Sequence, residues 1–300
     1  MPLPLAFFAV ILIWSTTPLA IQWSAQGAGF SFAVLSRMGI SVLLCAALLL
    51  ILRVRIPLHR RALHSYLASG LSMAGTMVLA YWSAQFVSSG MISLLFGISP
   101  LISSLGAALW LKEESLTREK LLGMGLGLLG LLLVFRGGLA VGATAGLVAL
   151  FFAVVMQALG LVWIKKVGDN SPPLATTFGS LIVALPVFLI AWWLFDGHLP
   201  EAIPSRALMA IIYLASVGSV LGFLLYYYLI KHMDTGRIAL INLITPVLAL
   251  LLGHTLNGEA ILPQVWLGGA CILCGLAVHR FGAQTSARLR QTMRKMKTAD

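Results

Sequence analysis

The chain has 300 residues, 60% of them hydrophobic and only 10% charged, with a formal net charge of +11. A water-soluble domain carries roughly a quarter charged residues, so this chain has too few charges to cover a soluble surface, and its apolar surplus must face lipid. The positive charge does not mark a nucleic-acid binder, because the basic residues sit in short clusters between apolar runs.

Ten windows are long and apolar enough for membrane helices, which need about 20 residues each. The first, 3–24, has no Lys or Arg before it and outruns the apolar region of a secretory leader, so it is expected to be a retained span. It is followed by 31–52, which contains Arg37, and by 64–85 and 89–111, the latter with Pro100 at its middle. The fifth, 118–136, carries the spacing Gly123-x-x-x-Gly127, which permits close helix approach. The remaining windows are 143–165, 173–195, 206–230, 236–256 with Pro246 inside, and 263–282. Turn-like or charged stretches separate them, such as Gln26-Gly27-Ala28-Gly29 and Arg53 to Arg61, and the shortest break is Phe86-Val87-Ser88. Membrane strands are not expected, since the runs are too long and do not alternate.

Basic residues orient these spans. With the N-terminus in the cytoplasm, all but three of the 20 Lys and Arg fall in cytoplasmic loops or the C-terminal tail. The exceptions are Arg37, within a span, and Arg136 and Arg206 outside. Shifting the frame by one helix destroys this alternation, so an even number of spans with both termini cytoplasmic is expected.

The two halves also repeat. At an offset of 146, Gly90 matches Gly236, Pro100 matches Pro246, Glu113 matches Glu259 and Gly123 matches Gly269. At an offset of 144, Phe7-Phe8-Ala9-Val10 recurs as Phe151-Phe152-Ala153-Val154. Five spans per half force the second copy to enter the membrane from the opposite side. Such inverted repeats let transporters build two nearly equivalent states around a midplane site. The expected organisation is therefore an all-α integral membrane protein. A first five-helix repeat covers 1–140, a second covers 141–283, and a basic cytoplasmic tail covers 284–300.

These motifs resemble the drug/metabolite transporter superfamily, in particular its EamA-type ten-helix members. The residues that carry the resemblance are Leu12-Ile13-Trp14-Ser15 with Pro18, Arg37, and the end of each half. In the first half, Ile98-Ser99-Pro100 runs through Trp110-Leu111-Lys112-Glu113-Glu114 to Leu121-Leu122-Gly123. In the second, Ile244-Thr245-Pro246 runs to Gly258-Glu259, Leu267-Gly268-Gly269 and Cys274-Gly275. The second copy departs at Asn257-Gly258-Glu259 and has no counterpart of Arg37. The resemblance implies two inverted five-helix bundles around a cavity lined by spans one, three, four, six, eight and nine. It further implies movement of amino acids, related metabolites or xenobiotics, more often outward, in a bacterial inner membrane.

Several residues are candidates for the work. Arg37 is the formally charged residue in the body of a span, where a cation is costly; it binds a substrate carboxylate, snorkels to headgroups or makes a structural bond to backbone carbonyls. Pro100 and Pro246, at matched positions, are candidates for gating kinks. Gln157 and Asn242, far from helix ends, are candidate substrate contacts, or bonds between helices. Trp14, Tyr81, Trp82 and Tyr227 offer aromatic walls, with an interfacial belt favoured for Tyr81 and Trp82. Gly123 and Gly127 are expected to pack against the last span, at Ala270 and Cys274, or against a second protomer; Gly269 and Gly275 belong to the same small-residue pattern. Glu113 and Glu259 are read as capping or loop-pairing groups. Neither a metal, a cofactor nor a catalytic residue is expected. The aspartates Asp169, Asp196, Asp234 and Asp300 are scattered, and HExxH, GxSxG and the phosphate-loop signature are missing. The expected partners are a small-molecule substrate and the bilayer, not nucleic acid, with the chain a monomer or homodimer. A membrane-embedded lipid-modifying enzyme is the competing reading.

Overall fold

A computed structural model describes residues 2–111, 117–135, 141–233 and 235–297; the side chains of residues 141, 227, 230–231, 235–239 and 283–297 are outside the description. Among the described residues every regular element is helical. In chain order these are α1 (Leu3–Ala28), α2 (Phe30–Ile51), α3 (Arg60–Ser83), α4 (Ser89–Phe96), α5 (Ser99–Trp110) and α6 (Arg118–Phe135). The second half holds α7 (Val141–Val167), α8 (Pro173–Phe195), α9 (Ser205–Tyr213), a π-helical segment (Leu214–Leu221), α10 (Gly222–His232), α11 (Thr235–Asn257) and α12 (Pro263–Lys297). The basic tail set apart by composition continues α12 without a break as far as Lys297.

Eight helices among the described residues are long and apolar enough to cross a membrane: Leu3–Ala28, Phe30–Ile51, Ser89–Trp110, Gly142–Val167, Pro173–Phe195, Ser205–Tyr226, Leu240–Asn257 and Pro263–Gly282. The expected spans 64–85 and 118–136 exist as helices α3 and α6 but fall outside this set. The causes differ. Hydroxyl groups dilute α3, including buried Ser65, Tyr66, Thr76, Tyr81 and Ser83, whereas α6 opens on Arg118, Glu119 and Lys120.

Turns gather at two ends. Gly27 lies against Ala207, Gly29 against Asp196, Gly146 against Phe86, and Ser89 against Glu259. At the opposite end, His59 meets Asp169, the Lys166 ammonium sits 4.7 Å over the Trp110 ring, and Gly282 lies against Glu119. Arg53, Arg55, Arg60, Arg61 and Lys165 belong to this second end.

Contacts between the halves interleave. α1 packs on α9, α10 and α11; α7 packs on α3, α4 and α5. α2 packs on α8 and on the π segment, α3 on α8, α4 on α11, and α6 on α12. Small residues bring these helices close, as in other membrane bundles. A Cβ at Gly70 would sit 2.7 Å from the Ser180 carbonyl oxygen, and one at Gly179 would sit 2.5 Å from the Tyr66 ring.

The α6–α12 contact corrects the expected register. Gly123 and Gly130 face the carbonyl oxygens of Gly275 and Gly268, each 2.5 Å from an added Cβ, while Gly127 faces Leu101. Ala270 and Cys274, the expected partners, are exposed, and Gly269 faces Leu94 of α4.

The matched prolines also differ in setting. The helix breaks between Phe96 and Ser99, with Gly97 and Ile98 bonded back three residues to Leu94 and Leu95, and Pro100 lies in the first turn of α5. Pro100 thus follows a break in the middle of the span Ser89–Trp110, and its missing N–H falls in the first turn of α5, where a helix start has no intrahelical partner to lose. Pro246 is buried inside the unbroken α11.

Candidate functional site

Arg37 lies two turns into α2, where the helix turns its side chain to the interior and not toward lipid or headgroups. It is 5% exposed. Its Nε and Nη2 both donate to Ser219 Oγ, at 3.3 and 3.2 Å, and its Nη1 donates to Tyr81 Oη at 3.3 Å. The guanidinium carbon stands 6.0 Å from the Tyr81 ring centroid, the outer limit of a cation–π contact. Among the described residues no carboxylate lies within ion-pair distance of Arg37. Among the described residues this buried cation meets hydroxyls and the edge of a ring contact, neutral partners that return part of the lost hydration. The snorkelling alternative is thereby set aside.

The local backbone explains why Ser219 reaches Arg37. Ser219 belongs to the π-helical segment, whose wider turn is a recurrent feature of functional sites. Ser41, one turn after Arg37, donates to the Arg37 carbonyl at 2.9 Å and to the Ala215 carbonyl at 3.3 Å, fastening α2 to this segment. Near the same segment, Thr16 Oγ1 and Tyr213 Oη are 2.6 Å apart, and the Trp14 and Tyr226 rings meet at a tilt, centroids 4.6 Å apart. A Cβ on Gly222 would lie 3.3 Å from the Trp14 indole nitrogen, so glycine leaves the indole its place.

The other candidates are dispersed. Tyr81 is fully buried beside Arg37 and is not part of a lipid-facing belt. Trp82 is half-buried against Phe86, ring centroids 4.9 Å apart, toward the end of α3. Gln157 on α7 and Asn242 on α11 are half-buried, and among the described residues no hydrogen bond joins either to the Arg37 cluster. The side chain of Tyr227 lies outside the described residues, as does Glu113. Ser219, Ser41, Thr16 and Tyr213 escaped sequence reading because a hydroxyl within an apolar run carries no distinguishing signal. Among the described residues no group of three His, Cys, Asp or Glu side chains is placed to hold a metal.

A second polar network occupies the end where Gly29 meets Asp196. Asn257 Nδ2 donates to Gln22 Oε1 and to Glu259 Oε1, both at 3.0 Å, and Asn257 Oδ1 accepts from Trp23 Nε1 at 2.9 Å and from Arg206 Nη2 at 3.3 Å. Glu259 Oε2 accepts from Ser89 Oγ at 3.0 Å and from the Gly90 N–H at 3.4 Å, the capping role expected of it. Gln22 Nε2 donates to the Val87 carbonyl at 3.2 Å. At the opposite end, His59 Nε2 and Asp169 Oδ1 are 2.9 Å apart. Burial pushes the Asp169 carboxyl up, but hydrogen bonds from Ser171 and His59 outweigh it and hold the group below the usual Asp range.

The sequence profile of the EamA-like transporter family matches residues 2–136 and, a second time, residues 144–280. The chain belongs to this family. It is 28% identical to a probable amino-acid metabolite efflux pump of Salmonella typhimurium over 85% of this chain and 87% of that one. It is 26% identical to the uncharacterized inner membrane transporter YedA of Escherichia coli, over 94% and 92% of the two chains. A probable terminal-alkyne amino-acid exporter of Streptantibioticus cattleyicolor is 27% identical, over 90% and 91%. A crystal structure that is 20% identical superposes with a TM-score of 0.63 over 93% of this chain and 98% of that one, which establishes the shared fold. Membership of this family of transporters, with eight membrane-length helices among the described residues and inner-membrane relatives, makes the chain a multi-pass protein of the bacterial inner membrane.

Proposed function

We propose that this EamA-family chain exports amino acids or related amphipathic metabolites by alternating access between two inverted five-helix halves, residues 1–140 and 141–283. Both termini lie in the cytoplasm, ten helices span the bilayer, and the tail 284–300 rests against anionic headgroups. The chemistry of the cargo follows the relatives, whose names specify amino-acid metabolite efflux and amino-acid export.

The observation that carries the mechanism is the exchange symmetry of the contacts between halves. If each helix of the first half is swapped for its counterpart in the second, α1 on α10 and α11 becomes α7 on α3 and on α4–α5. Likewise α2 on α9 becomes α8 on α3, while α2–α8, α4–α11 and α6–α12 map onto themselves. Such exchange symmetry supports the alternating-access reading, in which the two halves trade roles between an inward-open and an outward-open state. The double match of the family profile supports the same division.

Arg37, with Tyr81 and Ser219, is the proposed carboxylate site, and Trp14 with Tyr227 the proposed apolar wall; Trp82, Gln157 and Asn242 contact solute in a different state. Pro246 and the Gly97–Pro100 break are the proposed hinges. Since α12 covers the glycine face of α6 within one chain, that face gives no cause for dimerisation. No observation favours the lipid-modifying enzyme, and the chain is proposed to catalyse no reaction. The test is efflux from proteoliposomes loaded with a panel of labelled amino acids, with and without a pH gradient. Saturable efflux of an amphipathic amino acid is expected; no flux across the panel, with lipid products formed instead, overturns the proposal.

A further inference from the structure

The network around Asn257 and Glu259 joins four helices at one end of the bundle, and every link in it crosses from one half of the chain to the other or prepares such a link. It starts from Gly258, whose φ of 63° ends α11 with the N–H of Gly258 bonded to the His254 carbonyl. Glycine suits this left-handed position, and the reversal turns Glu259 back along the helix it has just left. The Glu259 N–H then bonds to the Gly253 carbonyl, and His254 Nδ1 lies 2.9 Å from the Glu259 carbonyl oxygen. The carboxylate is thereby aimed at the first turn of α4.

That turn is a fitting receptor. Ser88 caps it through Met91, leaving the Gly90 N–H and the Ser89 hydroxyl to meet Glu259, and the positive end of the helix favours a carboxylate. Two glycines clear the ground. An added Cβ at Gly90 would sit 2.9 Å from the Leu250 Cα, and one at Gly253 would collide with Glu259 Oε2 and stand 2.6 Å from Ser89 Oγ. Asn257 extends the seam to α1 through Gln22 and Trp23, and Arg206 from α9 stacks 3.8 Å over the Trp23 ring. These hydrogen bonds are charge-assisted or half-buried, the kinds that contribute most per bond.

We propose that Glu259 and Asn257 are positioning residues for transport: they form a polar latch that closes the external end of the seam between the halves, and this latch must break before solute can leave outward. The inference rests on the alternating-access reading above and names the contacts that hold one of its two states. The departure of Asn257-Gly258-Glu259 from the first copy is then a feature of the latch, because the glycine turn and the amide supply two of its parts.

The test uses the full-length protein with Cys45→Ser, Cys271→Ala and Cys274→Ala, and a reporter Val87→Cys, at a position that is 4% exposed beside the latch. Adding Glu259→Ala should raise the rate of labelling by a membrane-impermeant maleimide about tenfold, because charge-assisted bonds are removed from one state only. Glu259→Gln should fall between the two. An unchanged rate in both overturns the latch. A second variant, Ser89→Cys with Gly253→Cys, replaces the Ser89–Glu259 hydrogen bond by a covalent tie across the same seam, because a Cβ at Gly253 displaces the Glu259 carboxylate and reaches the Ser89 side chain. Oxidation should stop efflux and reductant should restore it; undiminished efflux from the oxidised protein overturns the proposal. Labelling needs no substrate, so a protein that moves no solute would contradict the proposed function while the latch is still judged. Reagent reaching the reporter thiol only from the cytoplasmic side would contradict the orientation, leaving the effect of Glu259→Ala to be read from that side.

Discussion

Replacement of Arg37 by Gln is the perturbation whose size the geometry sets most directly. Two donors of the guanidinium, Nε and Nη2, converge on a single neutral acceptor, Ser219 Oγ, at 3.3 and 3.2 Å. A carboxylate arriving there displaces the hydroxyl and takes both donors, adding an opposite charge to bonds that already have a charged donor, a gain of about 1 kcal/mol for each of the two. The net gain of about 2 kcal/mol corresponds to roughly thirtyfold in apparent affinity. Arg37→Gln should therefore weaken competition by an amino acid about thirtyfold in an efflux assay. The same variant should leave competition by the corresponding amine, which has no carboxylate, within about twofold. Arg37→Lys should recover part of the loss, because it restores charge without the fork. Equal losses for acid and amine, with the variant still folded and monodisperse, would refute the assignment and leave Arg37 a packing cation.

Other consequences follow from the two ends and the glycine face. Asp196 accepts from Ser31 Oγ at 2.5 Å and from the Phe32 N–H at 2.9 Å, so Asp196→Ala should cost about 1–2 kcal/mol in denaturant unfolding, and Asp196→Asn less. Gly123→Ala and Gly130→Ala should each cost about 1–3 kcal/mol by overpacking against α12. Gly125→Ala, which meets open space, should be neutral or stabilising in the same thermal assay. Because the Asp169 carboxyl is held below the usual Asp range in the folded chain, its contribution is complete above that range and lost as pH falls through the folded value. Thermal unfolding in detergent should thus show a steeper loss of stability on acidification below about pH 4 in the parent than in Asp169→Asn.

The spans were readable because lipid imposes a length and a composition that few other environments demand. Expected windows such as 173–195 coincide with α8 (Pro173–Phe195), and the short break at 86–88 falls between α3 and α4. The stretch Gln26 to Gly29 read as a turn, yet α1 runs to Ala28 and only Gly29 breaks it, since small residues continue a helix when packed against Ala207. The π-helical segment left no trace, because Leu-Ala-Ser-Val-Gly-Ser-Val-Leu is equally good α-helix and its wider turn is set by what it packs against.

The site was half legible for a similar reason. Arg37 announces itself by the cost of burying a cation, but the acceptors that answer it, Ser219 and Tyr81, lie 182 and 44 residues away. Glu259 was recognisable as a capping group; that it caps α4, 170 residues earlier, depends on tertiary pairing. The glycines of α6 pointed to a close helix contact, but helix rotation decides which face of α12 meets them, so Gly123 meets Gly275, itself one of the expected small residues, while Gly268 stands where Ala270 and Cys274 were expected.

The most direct measurement is the sidedness of single introduced cysteines at positions 140, 170, 200 and 299, labelled in intact cells and in inverted vesicles. Opposed insertion of the two halves predicts that 140 and 200 react from the outside and 170 and 299 from the cytoplasm. Cytoplasmic labelling at 140, or the N- and C-termini on different faces, would contradict it.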